Sequence, residues 1–195
     1  MPVVVEARVA IMQRMESVEG LAHKSAVFYL VVLIASFAWD GLSSTVDLVF
    51  WAGPFKEEVV WLAGGALVAA VVILLSRFSE NRFRFVSRLS QLFRDIVGHL
   101  TVLEILVLAT SSAIAEEVFF RGCVQAHLGV LPTALLFGAV HGFFRGVLLP
   151  WSLFAFVLGL VWGMMARYSG SLTPGIVSHF LINAVNLYLL SRVRE

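Results

Sequence analysis

Six residues in the second half of the chain could carry chemistry: Glu116, Glu117 and Arg121, then His141, then His179 and Asn183. All lie in or at the end of apolar runs. Ionisable groups at membrane depth are costly and usually face a bundle interior or a wet cavity. On a helix Glu117 and Arg121 are i,i+4 neighbours and can pair. Glu116 points about 100° away and is left free. The pair anchors and the free carboxylate can act, for example by moving a proton or binding a cation. His179 and Asn183 are also i,i+4 and share one helix face. Taken singly, a membrane histidine can bond a carbonyl of a neighbouring helix, and an asparagine can be interhelical glue. Three such groups deep on three helices argue for a shared site.

The elements that must position them are helices in a bilayer. The 195 residues are 59% hydrophobic and 14% charged, and the mean hydropathy is +0.91. A soluble domain carries about 25% charged residues. The expected fold class is therefore all-α, a polytopic transmembrane bundle of about six spans. A net charge of +1 and the lack of a basic stripe interleaved with aromatics argue against nucleic acid as a partner. The single cysteine, Cys123, rules out an intrachain disulfide. Oligomeric state is not readable.

Residues 1–25 read as an amphipathic surface segment without the pattern of a cleaved signal peptide. Residues 26–195 read as one membrane-embedded domain with its motif-bearing core at 101–190. The first apolar run, Ala26–Ala38, extends weakly past Asp40 and Asp47 to Trp51. It is either one interrupted span or a span followed by an interfacial piece. Gly53-Pro54 breaks the chain, and Val59–Leu75 is a second span. Arg77 to Asp95 holds five arginines against Glu80 and Asp95, with an amphipathic spread of phenylalanines and leucines. It reads as a cytoplasmic loop under the positive-inside rule or as a contact for anionic lipid. Four further spans are expected at about 101–120, 130–144, 147–167 and 174–190. An even number of spans places both termini in the cytoplasm of a multi-pass cell (inner) membrane protein; Arg192 and Arg194 agree, and Arg145 should face inward.

Helix rise allows a depth check. Glu116 falls about 6–8 Å below the outer end of its helix, His179 about 7 Å, Asn183 about 13 Å, and His141 about 15 Å in from the start of its own. These depths are compatible with one site in the outer half of the membrane, reached by water and substrate from the non-cytoplasmic side.

Glu-Glu-x-x-x-Arg at 116–121, Phe-x-x-x-His at 137–141 and His-x-x-x-Asn at 179–183 resemble, in this order, the CPBP family of intramembrane proteases. That family includes type II CAAX prenyl endopeptidases and bacteriocin-processing or immunity proteins. Phe120-Arg121-Gly122, the glycines Gly159 and Gly163, and Tyr168-Ser-Gly-Ser-Leu-Thr-Pro174 agree. The resemblance covers about residues 111–187; the first hundred residues match only as generic spans.

Peptide hydrolysis needs an activated water, a proton donor for the leaving amine and stabilisation of the oxyanion. Glu116 is assigned as general base because Glu117 has Arg121 available. His141 would share the water, His179 and Asn183 would donate to the oxyanion, and Glu117 with Arg121 would orient the site. The resemblance implies the same roles, without a cofactor. The substrate would be a membrane-anchored protein or peptide cut near a terminus: a CAAX tail, a bacteriocin precursor or a sorting signal. The alternative chemistry uses zinc held by Glu116, His141 and His179, leaving an open position for water, although His-Glu-x-x-His is absent. A different class altogether is a non-catalytic immunity or scaffold protein, or a proton-coupled carrier, for which no inverted repeat is visible.

Overall fold

The computed structural model describes the backbone of residues 2–46, 48–142 and 146–192, and side chains from residue 20 onwards. All regular structure in these residues is helical. The helices are α1 (Pro2–Leu42), α2 (Phe55–Arg82), α3 (Arg84–Val97), α4 (Val102–Glu117), α5 (Gln125–Leu128), α6 (Val130–Val140), α7 (Leu149–Ser169) and α8 (Thr173–Arg192). A π-helical segment, Val118–Val124, joins α4 to α5, and a 3₁₀ turn, Gly146–Leu148, leads into α7.

Local chemistry explains most of these ends. Pro54 precedes the first turn of α2, where Glu57 and Glu58 complement the helix dipole. Thr101 and Glu104 form a reciprocal capping box that starts α4, which accounts for the acidic residue at that end. Gly170, at φ +68°, supplies the left-handed conformation that stops α7.

Four stretches are long and apolar enough to cross a membrane: Gly20–Leu42 of α1, α2, Gly146–Ser169 including α7, and α8. A fifth arises if α3 and the helix running from Val102 to Leu128 are taken together, but these are bent by 109°. The expectation of about six spans is thus trimmed. The expected span at 130–144 is α6, whose 11 residues reach only about 16 Å of a 30 Å hydrocarbon core. The amphipathic segment and the first span form one uninterrupted helix, which ends at Leu42, so the apolar residues up to Trp51 belong to a separate connection. Asp47, Arg145 and Arg194 lie outside the described residues.

Where a loop was expected, α2 continues to Arg82 and α3 follows as an amphipathic helix lying across the end of the bundle. Its Val86, Leu89, Phe93 and Val97, at helical spacing, turn inward, whereas Arg84, Ser87 and Arg88 are exposed. Outward faces of α1 and α2 carry Phe28, Val31, Ile34, Leu67, Val71 and Leu74, all exposed, as lipid contact requires.

The core sits where α6, α7, α8 and α2 meet, around Phe137, Trp162, Leu158, Ile182 and Ala69. Helices α6 and α7 approach closely through Gly138: a Cβ there would meet Ser152 O and Phe156 Cβ at 2.8 Å. Small residues at such crossings replace the hydrophobic driving force that lipid does not supply.

Candidate active site

Each of the three motifs ends on a different helix, and packing brings them to one place. Glu116 and Glu117 are the last two residues of α4, immediately before the π-helical segment. Single π turns inside α-helices recur at functional sites because they redirect side chains. His141 follows α6 as its C-cap. His179 and Asn183 lie on α8.

The two carboxylates divide as the spacing suggests. Glu117 is fully buried and its Oε1 accepts from Arg121 Nη1 at 3.0 Å. The same oxygen accepts from His179 Nδ1 at 3.0 Å. Arg121 is held further by the Gly159 carbonyl, which accepts from Nη2 at 3.4 Å, and its guanidinium lies 4.3 Å from the centre of the Phe137 ring. Glycine at position 175 makes room for the pair: a Cβ there would stand 3.2 Å from Glu117 Oε2.

Among the described residues Glu116 forms no ion pair with an arginine. Its Oε2 is buried and has no hydrogen-bond partner among the described residues. That oxygen faces two imidazole nitrogens, His141 Nε2 at 3.7 Å and His179 Nε2 at 4.0 Å. Both rings are held from behind. His141 Nδ1–H donates to the Phe137 carbonyl at 2.6 Å, and His179 Nδ1–H donates to Glu117 while its ring stacks on Trp162 at 4.4 Å. With each Nδ1 committed, each Nε2 is presented to Glu116. Trp162 is fixed in turn by donating to Ser178 Oγ at 3.0 Å.

Asn183 lines the same cavity, and its Nδ2 donates to Ser112 Oγ at 3.0 Å. All six residues singled out in the sequence are therefore brought together. Two participants escaped the sequence reading. Ser112 lies one helical turn before Glu116 and bears no motif. Tyr29, on α1, donates its hydroxyl to Glu116 Oε1 at 2.8 Å from 87 positions away; a lone tyrosine in a first span carries no signal that could have found it.

A cavity of about 670 Å³ extends from this cluster. Its wall includes Ser25 near the start of the α1 span, Ser79 near the end of α2, Trp151 at the start of α7 and Leu190 near the end of α8. These helix ends alternate in direction, so they mark one end of the bundle. The cavity reaches the surface there, at Phe85 and at Arg77, which with Arg94 flanks Glu80 at 2.9 Å each.

The larger cavity thus opens at the end of the bundle opposite to the one expected from depth. At the other end the connection before α2 is tied to the turn that leads into α8. Leu172 N–H donates to the Val49 carbonyl at 2.9 Å, and the single hydroxyl proton of Ser171 is shared between Phe50 O and the buried Glu58 carboxylate. Thr173 also donates to Phe50 O. Distance from a helix end measures depth; tertiary packing decides which end is open.

No group of three His, Cys, Asp or Glu among the described residues is arranged to hold a metal ion. The Glu116, His141 and His179 set is nevertheless compact, and each histidine has the outer-shell acceptor on Nδ1 that metal-bound imidazoles use. The donor set thus fits zinc in chemistry.

The Rce1-like family, described as type II CAAX prenyl endopeptidase Rce1-like, matches residues 98–185. YpbD, an uncharacterized protein of Bacillus subtilis (strain 168), is 32% identical over 136 residues, covering 66% of this chain and 67% of that one. No solved structure matches the chain significantly.

Proposed function

The chain belongs to the Rce1-like family of type II CAAX prenyl endopeptidases, a peptidase family within the CPBP group, and from that premise we propose that it is a glutamate-type intramembrane endopeptidase. The observation that carries the reading is Glu116 Oε2, without a hydrogen-bond partner among the described residues, facing His141 Nε2 and His179 Nε2. A water between these groups gives its proton to Oε2, and its oxygen attacks the scissile carbonyl. His141, with its lone pair at Nε2, orients that water. The developing oxyanion takes hydrogen bonds from the Asn183 amide and from His179. His179 has already given Nδ1–H to Glu117, so it donates from Nε2 only as an imidazolium, whose charge is met by the oxyanion because Arg121 already matches Glu117. The proton held on Glu116 then passes to the leaving amine.

The cavity favours a substrate that is largely apolar and arrives from the end carrying α3. If the arginines of α3 lie in the cytoplasm by the positive-inside rule, that end is cytoplasmic, which suits a lipid-modified or membrane-anchored chain terminus. In a zinc-dependent version the same Glu116, His141 and His179 would hold the ion, which would polarise the water.

The reading is tested with purified protein and an internally quenched farnesylated CAAX peptide. Wild type should cleave it and Glu116→Gln should not, with both proteins equally folded. A non-catalytic scaffold would show no cleavage in either and no defect from Glu116→Gln in cells.

A further inference from the structure

Glu116 has two carboxylate oxygens, and they stand in different surroundings. Oε2 faces the two histidine Nε2 atoms. Oε1 is taken by Tyr29, whose phenol oxygen lies 2.8 Å away. A phenol facing an ionised carboxylate is the donor. Among the described residues no other donor reaches Oε1. The contact comes from α1, which packs along α4 and lies outside the stretch that matches the Rce1-like family.

We propose that Tyr29 is a positioning residue for the general base, an inference that rests on Glu116 being that base. The terminal torsion of a glutamate is broad and roughly two-fold, so a free carboxylate exchanges its oxygens readily. Donation from Tyr29 removes that freedom and fixes Oε2 toward the histidines. The hydrogen bond survives the chemical step. When Oε2 takes a proton from water, Oε1 becomes the carbonyl oxygen of the acid and still accepts from Tyr29. The proton that moves is the water's, the phenol keeps its own, and the hydroxide oxygen goes to the scissile carbonyl. α1 thereby contributes to a site whose other groups come from α4, α6 and α8.

The test compares Tyr29→Phe with Tyr188→Phe, which removes a phenol from an exposed position on α8, using the farnesylated quenched peptide. Tyr29→Phe keeps the ring and loses only the donor. Losing one hydrogen bond to a charged group should lower kcat by about tenfold or more. KM and the thermal midpoint in detergent should stay close to wild type, and Tyr188→Phe should be unaffected. Infrared difference spectra supply a readout that needs no turnover. The carboxylate band lost in Glu116→Gln should move in Tyr29→Phe, and the phenol band of ring-labelled tyrosine in the wild-type protein should move in Glu116→Gln. A normal kcat in Tyr29→Phe, or bands that stay in place, overturns the inference. If Glu116→Gln itself turns over normally, it is the assignment of the base that has failed; an inactive Glu116→Gln beside a fully active Tyr29→Phe sinks only the role of Tyr29.

Discussion

Glu117 and His179 meet at 3.0 Å, carboxylate Oε1 to ring Nδ1, although 62 positions separate them in the chain. The same oxygen holds Arg121. One buried carboxylate thus fixes a cation on its own helix and an imidazole on α8, and so sets where His179 presents Nε2. Glu116, its neighbour in sequence, is excluded from this arrangement, and its Oε2 faces the Nε2 atoms of His141 and His179 instead.

Removing Glu117 leaves Arg121 buried without its counter-charge. Breaking such a pair from one side costs about 3–5 kcal/mol. Glu117→Ala should therefore lower the thermal midpoint in detergent markedly and abolish cleavage. Glu117→Gln, which can still accept from both partners, should lose about 1–3 kcal/mol and retain weak activity. Scanning fluorimetry beside the peptide assay reads both; a stable Glu117→Ala would deny the pair its structural role.

Glu116→Gln should behave differently. Loss of general-base function costs about 10²–10⁴ in rate, while the neutral amide preserves an acceptor for Tyr29. Cleavage should vanish with the thermal midpoint nearly unchanged. Near-normal turnover would remove Glu116 from its assigned role.

Chelation separates the two chemistries. With water activated by Glu116 and His141 alone, prolonged treatment of the purified enzyme with a strong chelator should leave kcat unchanged. Stoichiometric zinc in the protein, with activity lost on its removal and regained on its return, would select the metal-bound reading.

The open end of the cavity can be placed by labelling. In a Cys123→Ser background, cysteines at Ser87 on α3 and at Lys56, exposed at the opposite end of the bundle, are treated with an impermeant thiol reagent on intact cells. Lys56→Cys should label and Ser87→Cys should be protected. The reverse pattern would put the cavity mouth outside and exclude a cytoplasmic CAAX tail as substrate.

Gly175→Leu should also impair the site without touching a polar group. A Cβ at this position already stands 3.2 Å from Glu117 Oε2, so a larger side chain must displace the carboxylate or separate α8 from α4. Overpacking of this kind costs about 1–3 kcal/mol. The peptide assay should show a larger loss than at Gly64→Leu, where open space surrounds the added carbon.

Much of this protein is legible in its sequence because the bilayer restricts what a chain can do. Apolar runs must be helical, since backbone groups find no other partners in lipid. Polar residues inside them stand out because each is costly there. Hence Glu116, Glu117, Arg121, His141, His179 and Asn183 can be chosen by type and spacing, and the Glu117–Arg121 pairing follows from a local i,i+4 relation. What spacing cannot supply is contact between distant helices. Tyr29 reaches Glu116, Ser112 receives Asn183, and Ser171 meets Phe50 only after α1, α4, α8 and the connection before α2 have packed. The shortness of α6 and the bend between α3 and α4 are likewise products of packing, where Gly138 and Gly98 let the backbone approach or turn. Depth along a helix is a one-dimensional property and can be counted from the chain; an opening is a property of several helices at once, so only the tertiary structure decides it.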